Sequence, residues 1–301
     1  MKIAVTGAFS YSGKYITKRL LDRGEEVITL TNHPNRSDPF NGKVKAFPLN
    51  FANEEELVDN LRGVDVLVNT YWVRFDKGNN TQPNAVENTK ILVNAAAKAG
   101  VKRIVHISIA NPSAESHLPY YWGKAANEKA VIDSGVSYAI LRPTVLVGRE
   151  DILINNIAFL LRRFPFFLIP GDGSYGIQPV YVEDLADLAV EAVYSKEIYT
   201  IDAVGPDAYT FKEMVQLIGA TIGARRLLIS VPPRLALLAT QFLSLFVKDV
   251  ILTPEEVDGL MANLLVSKEP ARAKTAFKDW LKINQNTVGA RYASELERHY
   301  S

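Results

Sequence analysis

The feature that most constrains the fold is a regular alternation of short apolar runs and amphipathic stretches in the first half of the chain. The runs KIAVTG, EVITLT, VDVLVNTY and RIVHISI are rich in β-branched residues and are predicted strands. The stretches between them have helical periodicity and end at Gly24, Gly63 and Gly100, as helices commonly do. Continuous apolar strands alternating with helices are typical of a parallel sheet covered on both faces. The pattern predicts an α/β fold with a doubly wound parallel sheet.

The alternation weakens after Asp151 and returns for one stretch only. The run VSYAILRPTVLVG continues the sheet, PVYVEDLADLAVEAV restores the strand–helix pattern, and EIYTIDAVG predicts a last strand. The rest of the chain is mainly helical in pattern. We therefore expect a sheet domain of residues 1–150 and 178–205, and a smaller, mainly helical lobe of residues 151–177 and 206–301.

Composition excludes several classes of protein. The 301 residues are 48% hydrophobic and carry a formal net charge of +1, with the charges interspersed rather than gathered in the basic stripe that nucleic-acid binding needs. The chain has no cysteine and four scattered histidines. We therefore expect no nucleic-acid partner, no disulfide and no metal.

No targeting segment or membrane span is predicted. The first strand begins at the second residue, which leaves no room for a signal peptide, so we expect a cytoplasmic protein. The most apolar stretch, Leu235 to Val247, is shorter than the roughly 18 to 20 residues that cross a bilayer. We interpret it as a core or interfacial helix.

A glycine-containing turn follows the first predicted strand, in VTGAFSYSGKY. Strand, tight turn and helix in this order direct backbone N–H groups and the helix N-terminus at a pyrophosphate. Gly7 allows the turn and Gly13 lets the helix pack closely on the strand, whereas Ser10 stands where a third glycine is common. We interpret the segment as the dinucleotide-binding loop of a Rossmann-type domain; a purely structural turn is the alternative.

The end of the second strand discriminates between dinucleotides. A carboxylate there bonds the ribose hydroxyls of NAD and repels a 2′-phosphate. In TLTNHPNRSD the first acid is Asp38, whereas His33 and Arg36 are available to a phosphate. The stretch favours NADP(H), with NAD(H) left open and a solvated polar loop as the alternative.

Tyr120 and Lys124 lie four residues apart in LPYYWGKAANEKAVIDSG and therefore share one face of a predicted helix. With 13 tyrosines in the chain, about one such spacing is expected by chance, so the motif alone proves nothing. Its position is informative. The helix follows the fifth predicted strand, beside the carboxyl edge of the sheet where ligands bind in such folds.

In these motifs the chain resembles the short-chain dehydrogenase/reductase superfamily, in its extended or atypical, epimerase/dehydratase-like branch. The resemblance covers residues 1 to about 205 through TGAFSYSG, GVDVLVNT, NTKILVNAAAKAGVKRIVHIS, YYWGK, LRPTVLVG and PVYVEDLADLAV. The helical C-terminal part, with VPPRLALLA and RYASELERHY, is more distantly similar to the nucleotide-binding accessory subunit of respiratory complex I.

The resemblance implies roles for several residues. Tyr120 would exchange a proton with a substrate carbonyl or alcohol, and Lys124 would hold the nicotinamide-ribose hydroxyls. A neighbouring ammonium favours the phenolate of a tyrosine. The catalytic hydroxyl of the family falls on Ile109, so Ser108, one position earlier, is the nominal choice, and Asn111, Ser113 or no hydroxyl at all are the alternatives.

The resemblance also implies a set of cofactor contacts. Asn50 stands where the family commonly has an acid near the adenine, and the family's asparagine at the start of the fourth helix falls on Ala85. The expected cofactor-binding residues are Gly7, Phe9, Ser10, Tyr11, Ser12, Gly13, Asn32, His33, Arg36, Asn50, Phe51, Thr70, Tyr71, Pro143 and Thr144.

Together these features predict an NADP(H)-dependent oxidoreductase that transfers hydride to or from a carbonyl or alcohol. The stretches IAFLLRRFPFFLIPG and LLISVPPRLALLATQFLSLFV favour a largely apolar small-molecule substrate, unless they only fill the core of the lobe. An NAD-dependent nucleotide-sugar epimerase or dehydratase is one alternative, and a non-catalytic NADP(H)-binding sensor or assembly protein is another. Peripheral contact of the Leu235–Val247 stretch with a membrane and a homodimer stay open.

Overall fold

The chain divides into two compact units. In the computed structural model, which describes residues 1–33, 36–247, 249 and 253–296, the first unit comprises Met1–Pro143 and Val182–Ala203. The second comprises Thr144–Tyr181 and Val204–Ser301.

The first unit is a seven-stranded sheet with helices along the chain between its strands. Its strands are β1 Lys2–Thr6, β2 Glu26–Thr31, β3 Lys45–Pro48, β4 Val66–Asn69, β5 Arg103–Ile107, β6 Ser137–Pro143 and β11 Tyr199–Ala203. Its helices are α1 Tyr11–Asp22, α2 Glu54–Leu61, α3 Gln82–Lys98, α4 Pro119–Asp133 and α6 Val182–Tyr194. The strand order is β11-β6-β5-β4-β1-β2-β3, and every neighbouring pair is parallel. The predicted doubly wound sheet is confirmed.

The topology positions a ligand site. The strand order reverses between β1 and β4, because β2 and β3 lie on one side of β1 whereas β4, β5 and β6 lie on the other. Ligands of such sheets bind outside the carboxyl ends of the strands at this reversal. The segments after β1 and β4 are therefore the ones to inspect.

The second unit combines helices with short strand pairs. Its helices are α5 Leu153–Arg163, α7 Phe211–Thr221, α8 Pro233–Val247, α9 Pro254–Met261 and α10 Phe277–Asn284. Its strands are β7 Val145–Val147, β8 Phe166–Pro170, β9 Gly176–Ile177, β10 Pro179–Tyr181, β12 Tyr209–Thr210 and β13 Leu227–Val231. They pair as β10-β7, β12-β9 and β13-β8. Phe211, Met214, Phe277, Trp280 and Leu281 are among the side chains of its core.

The division between the units differs from the expected one. The sequence predicts boundaries after residues 150, 177 and 205, whereas the structure divides the chain after Pro143, Tyr181 and Ala203. The reason is that β7 pairs with β10 rather than with the large sheet. The apolar run VSYAILRPTVLVG is therefore two strands, one in each unit.

The stretch Leu235–Val247 lies within α8, which is 15 residues long. Within the part of the chain that the structure describes, no helix combines the length and apolarity needed to cross a membrane. Ala236 is buried, whereas Leu235 and Leu238 are exposed. The helix thus presents apolar side chains outward at its N-terminal half.

A part-buried ion pair attaches α4 to β6. The Arg142 guanidinium donates from Nε and Nη2 to the two carboxylate oxygens of Glu128, at 2.9 and 2.5 Å. The Glu128 side chain is only 7% exposed. Such a bidentate contact fixes orientation as well as distance, so the helix that carries Tyr120 and Lys124 is held in register with the sheet.

Replacing Arg142 with Met should lower the free energy of unfolding by about 3 kcal/mol, because it leaves the Glu128 carboxylate buried without its partner. Urea denaturation measures the change. The double variant Glu128→Leu with Arg142→Met should regain most of the loss, since it removes both charges. Lys129→Met, which breaks an exposed pair with Asp133, is the control and should change stability by less than about 1 kcal/mol. A similarly small effect of Arg142→Met would contradict the role of the ion pair.

Candidate nucleotide-binding and active site

The turn after β1 requires both of its glycines. Gly7 has a φ of +65°, which side-chain-bearing residues rarely adopt, and its N–H donates to the Leu30 carbonyl at 3.0 Å. A Cβ on Gly13 would lie 2.1 Å from the Gly7 carbonyl oxygen. Because Gly13 is in the first turn of α1, that helix packs directly against the end of β1. This is the geometry that the glycine spacing predicts.

Ser10 stabilises the turn through two hydrogen bonds to the Gly7 carbonyl. Its hydroxyl donates to the Gly7 carbonyl at 2.5 Å, and its backbone N–H donates to the same oxygen at 2.8 Å. The Ala8 N–H donates to the Thr29 hydroxyl at 3.0 Å. The serine that replaces the third glycine therefore stabilises the turn by bonding inward.

The N-terminus of α1 has the electrostatics of an anion site. The first N–H groups of a helix lack intrahelical acceptors and lie at the positive end of its dipole. No acidic residue occurs in this first turn. Three further expected contacts, Phe9, Tyr11 and Ser12, are half-buried around it. The arrangement suits a pyrophosphate.

The loop after β2 has no carboxylate directed at its start. Both Asp38 oxygens accept backbone N–H groups, from Phe40 and from Gly42, at 2.7 Å each. Asn32 and His33 are exposed and Arg36 is half-buried. Asp38, the one acid of the loop, thus stabilises a local turn. Asn32, His33 and Arg36, which are closer to the end of β2, are polar or basic.

The segment after β4 is joined to β1 by its first residue. Thr70 donates from its hydroxyl to the Thr6 carbonyl at 2.6 Å and from its N–H to the Thr6 hydroxyl at 2.7 Å. The Tyr71 hydroxyl accepts Asn88 Nδ2 at 3.0 Å, and the Tyr71 ring lies 5.0 Å from that of Phe51. These expected contacts therefore share one edge of the sheet with the glycine turn.

Three other expected cofactor residues have local bonding partners. The Asn50 side chain donates to Glu56 at 2.8 Å and accepts the Ala52 N–H at 3.1 Å, so its amide already stabilises the start of α2. Pro143 is buried at the end of β6, and its carbonyl accepts the Ala110 N–H. The Thr144 hydroxyl donates to the Gln178 carbonyl within the second unit.

Tyr120 and Lys124 lie in the first two turns of α4, and both side chains contact the Trp72 indole. The Trp72 ring is 5.6 Å from the Tyr120 ring, edge to face, and 5.0 Å from Lys124 Nζ. A Cβ on Gly123 would lie 2.5 Å from Trp72 Cη2. The missing side chain at Gly123 is therefore what lets the indole pack on this face of the helix.

Lys124 is buried, and the pKa of its side chain lies close to neutral pH. Its Nζ donates to the Ile107 carbonyl at 3.0 Å, and the residue is 4% exposed. Burial lowers the pKa of the Lys124 ammonium to about 7, against the opposing effect of the Glu128 carboxylate. Near neutral pH a small change in surroundings therefore changes the charge beside Tyr120.

Three residues in β5, directly after it and in α4 have buried polar side-chain atoms without a partner among the described residues. These atoms are His106 Nε2, Ser108 Oγ and both polar atoms of the Asn127 amide. The alternative hydroxyl, Ser113 Oγ, is exposed and accepts the Glu115 N–H at 3.2 Å. Of these two hydroxyls, Ser108 Oγ is thus the one without a partner among the described residues.

His106 is neutral in its buried position. Asn69 Oδ1 accepts from Thr6 Oγ1 and from the Tyr71 N–H, which leaves Asn69 Nδ2 to donate to His106 Nδ1 at 3.1 Å. Burial, with the charge of Lys124 adding to it, lowers the pKa of His106 to about 3. The proton therefore resides on Nε2, which is buried and has no partner among the described residues.

Sequence reasoning missed Trp72, His106 and Asn127 as site residues. Gly123 was the available signal for Trp72, because a glycine inside a helix often marks a close approach. Nothing in the sequence links a tryptophan of the segment after β4 to that glycine. His106 and Asn127 gave no signal beyond being polar residues in apolar patterns.

We expect Lys124 to titrate near pH 7 in the cofactor-free protein, as ammonium below this pH and as amine above it. NMR of protein with ¹³C-labelled lysine measures this through the ε-carbon signal, and Lys124→Met assigns it by removing it. The cause is burial, which disfavours the charged form. If the missing signal instead titrates with ordinary lysines, near pH 10, the amine is solvated.

Comparisons with known proteins agree with this geometry. A family model described as NAD(P)H-binding matches residues 7–158, about half of the chain. The chain is 25% identical over 226 residues to NADH dehydrogenase (ubiquinone) 1 alpha subcomplex subunit 9, mitochondrial, of Arabidopsis thaliana. That match covers 71% of this chain and 56% of the Arabidopsis protein, so this chain spans little more than half of its relative's length.

Two solved structures share the fold. NADPH-dependent quinone oxidoreductase from Escherichia coli, complexed with NADPH, has a TM-score of 0.75 at 19% identity, over 94% of this chain and 98% of that one. UDP-glucose 4-epimerase from Thermus thermophilus, complexed with NAD, has a TM-score of 0.70 at 19% identity, over 97% and 100%. The matched family segment contains the glycine turn, Tyr120 and Lys124. The chain therefore belongs to the NAD(P)H-binding family.

Proposed function

We propose that the protein is an NADP(H)-dependent oxidoreductase that reduces a carbonyl group on a largely apolar small molecule, or oxidises the corresponding alcohol. The observation that carries this proposal is the pairing of Tyr120 with Lys124, whose pKa is about 7, on one face of α4. A nicotinamide supplies or accepts the hydride when it is bound. The protein's own task is to orient the reactants and to move one proton.

The proton would move through Tyr120. In the reducing direction its hydroxyl gives a proton to the carbonyl oxygen as that oxygen becomes an alcohol, and the phenolate left behind is favoured by a cationic Lys124. A free phenol has a pKa near 10, so this electrostatic help matters at neutral pH. Trp72, which contacts both side chains, limits how far either can move.

The second unit supports an apolar rather than a diphosphate-bearing substrate. The Arg162 guanidinium donates to the Val288 and Gln285 carbonyls, at 3.0 and 2.6 Å. Arg163 lies 3.7 Å from the centroid of the Phe159 ring. Both arginines of the apolar stretch are thus engaged with backbone and ring, which leaves them poorly placed to bind a sugar diphosphate.

A non-catalytic NADP(H)-binding role is the second candidate. It is favoured by the burial of Lys124, whose Nζ bonds the Ile107 carbonyl beneath Trp72. Reaching ribose hydroxyls would require that bond to be exchanged. A nucleotide-sugar epimerase or dehydratase is the third candidate, and the shared fold does not discriminate against it.

We expect NADPH to bind more tightly than NADH, because Asp38 is committed to its own turn and Arg36 can meet a 2′-phosphate. Calorimetric titration of both cofactors measures the preference. Arg36→Ala should weaken NADPH binding roughly tenfold or more, which corresponds to the loss of one charge-assisted hydrogen bond. The affinity for NADH should stay unchanged. The control is Arg62→Ala, at an exposed arginine paired with Asp59. Equal affinities for the two cofactors would contradict the preference.

Tyr120→Phe should abolish turnover while it leaves NADPH affinity unchanged, because only the proton-transfer group is lost. The measurement is NADPH oxidation with a panel of quinones, aromatic ketones and aliphatic aldehydes, and the expected loss is about 10² to 10⁴-fold in kcat. Tyr121→Phe, at the adjacent buried tyrosine, is the matched control and should stay active.

Three outcomes separate the candidates. Turnover of apolar carbonyls that depends on Tyr120 supports the oxidoreductase. Tight NADPH binding with no turnover of any carbonyl supports the non-catalytic role. Tight binding of a UDP-sugar, with no response to lipophilic carbonyls, supports the epimerase or dehydratase.

A further inference from the structure

The outer face of the β8–β13 pair is apolar and exposed. Phe166 and Leu227 are register partners across this parallel pair, and they are 45% and 67% exposed. Ile229, two residues further along β13, is also exposed, whereas Phe167 and Ile169 on the opposite face are buried in the core. Such a ladder of exposed large side chains is uncommon on a surface in contact only with water.

Helix α8 extends this surface. Only Pro232 separates the end of β13 from the start of α8. Leu235 and Leu238 are 53% and 59% exposed, and their spacing of three places them on one helix face. We call the exposed apolar side chains of these three elements, together with Phe164 two residues before β8, the apolar ridge: Phe164, Phe166, Leu227, Ile229, Leu235 and Leu238.

The segments that build the ridge carry only positive charge. Residues 152–171 and 214–248 contain no Asp or Glu. They contribute Arg162, Arg163, Arg225, Arg226 and Arg234, all exposed or half-exposed. Within the described ranges, none of these arginines forms an ion pair. The overall net charge of +1 therefore conceals a local excess of positive charge in the segments that build this apolar surface.

We propose that the apolar ridge docks on an anionic lipid surface, with its side chains in the interfacial region and the exposed Arg225 and Arg234 at the headgroups. Exposed Phe and Leu side chains combined with arginines are the features of proteins that lie on membranes without crossing them. Long arginine side chains reach headgroup phosphates while the apolar groups beside them stay in contact with the acyl boundary.

Charge argues against a second copy of the chain on this face. A twofold dimer through the ridge would bring five arginines towards five arginines without an acid from these segments between them. Negative lipid headgroups instead complement this positive charge. The proposal rests on the second unit alone and stands whether or not the carbonyl reductase function is correct.

The test is flotation of the full chain with vesicles of phosphatidylcholine alone and of phosphatidylcholine mixed with phosphatidylglycerol. We expect binding to the anionic vesicles at least about tenfold tighter than to the neutral ones, and weaker at high salt. Phe166→Ser with Leu227→Ser should reduce binding by about tenfold or more. Arg225→Gln with Arg234→Gln should remove most of the preference for anionic vesicles.

Ile283→Ser is the matched control. Ile283 is 83% exposed on α10, in the same unit but outside the ridge, so its loss should leave vesicle binding unchanged. NADPH affinity, measured for every variant, reports whether the first unit is intact, and near-ultraviolet circular dichroism reports the packing of the second.

Three results would overturn the proposal. One is absence of flotation with both kinds of vesicle, and another is binding that the ridge variants do not alter. The third is a dimer of the wild-type chain that Phe166→Ser with Leu227→Ser dissociates, because it would assign the ridge to a second copy.

Discussion

The first unit depends on one close approach, that of the backbone of α1 to the carbonyl of Gly7. It exists only because Gly13 has no side chain: a Cβ there would lie 2.1 Å from that oxygen. The approach places the positive end of the helix at the carboxyl edge of β1, next to the reversal of strand order. Ser10 then bonds the same carbonyl, so the turn is held from inside and its outer side is left to a ligand.

The sequence predicts the large sheet well and the small ones poorly, for a physical reason. Strands β1, β3, β4 and β5 of the large sheet are each followed directly by a helix, so much of the pattern that defines this sheet is local. The strands of the second unit are two to five residues long and pair with partners distant in the chain, as Phe166 does with Leu227. Pro143 and Thr144 are adjacent in one apolar run but belong to different units, which only long-range pairing decides.

In the candidate site, too, some features follow from residues close in the sequence and others depend on contacts between distant residues. The shared face of Tyr120 and Lys124 follows from helical spacing, and the role of Gly13 follows from its place after a strand. The commitment of Asp38 to its own turn and of Asn50 to α2 comes from hydrogen bonds that no composition rule reveals. Trp72, in the segment after β4, packs on α4 at Gly123. The sequence offers only that glycine as a signal of the contact.

In the proposed mechanism, Lys124 would have to meet two requirements that its burial sets against each other. Stabilising a phenolate on Tyr120 requires an ammonium, whereas the low polarity around Nζ favours the neutral amine and brings the pKa to about 7. Burial also lowers the pKa of the neighbouring His106, which is therefore neutral and adds no second positive charge near Lys124. Any anion brought to the edge of the sheet favours the ammonium. In the proposed reaction, the charged form of Lys124, which would assist proton transfer, would therefore gain from negative charge on a bound cofactor.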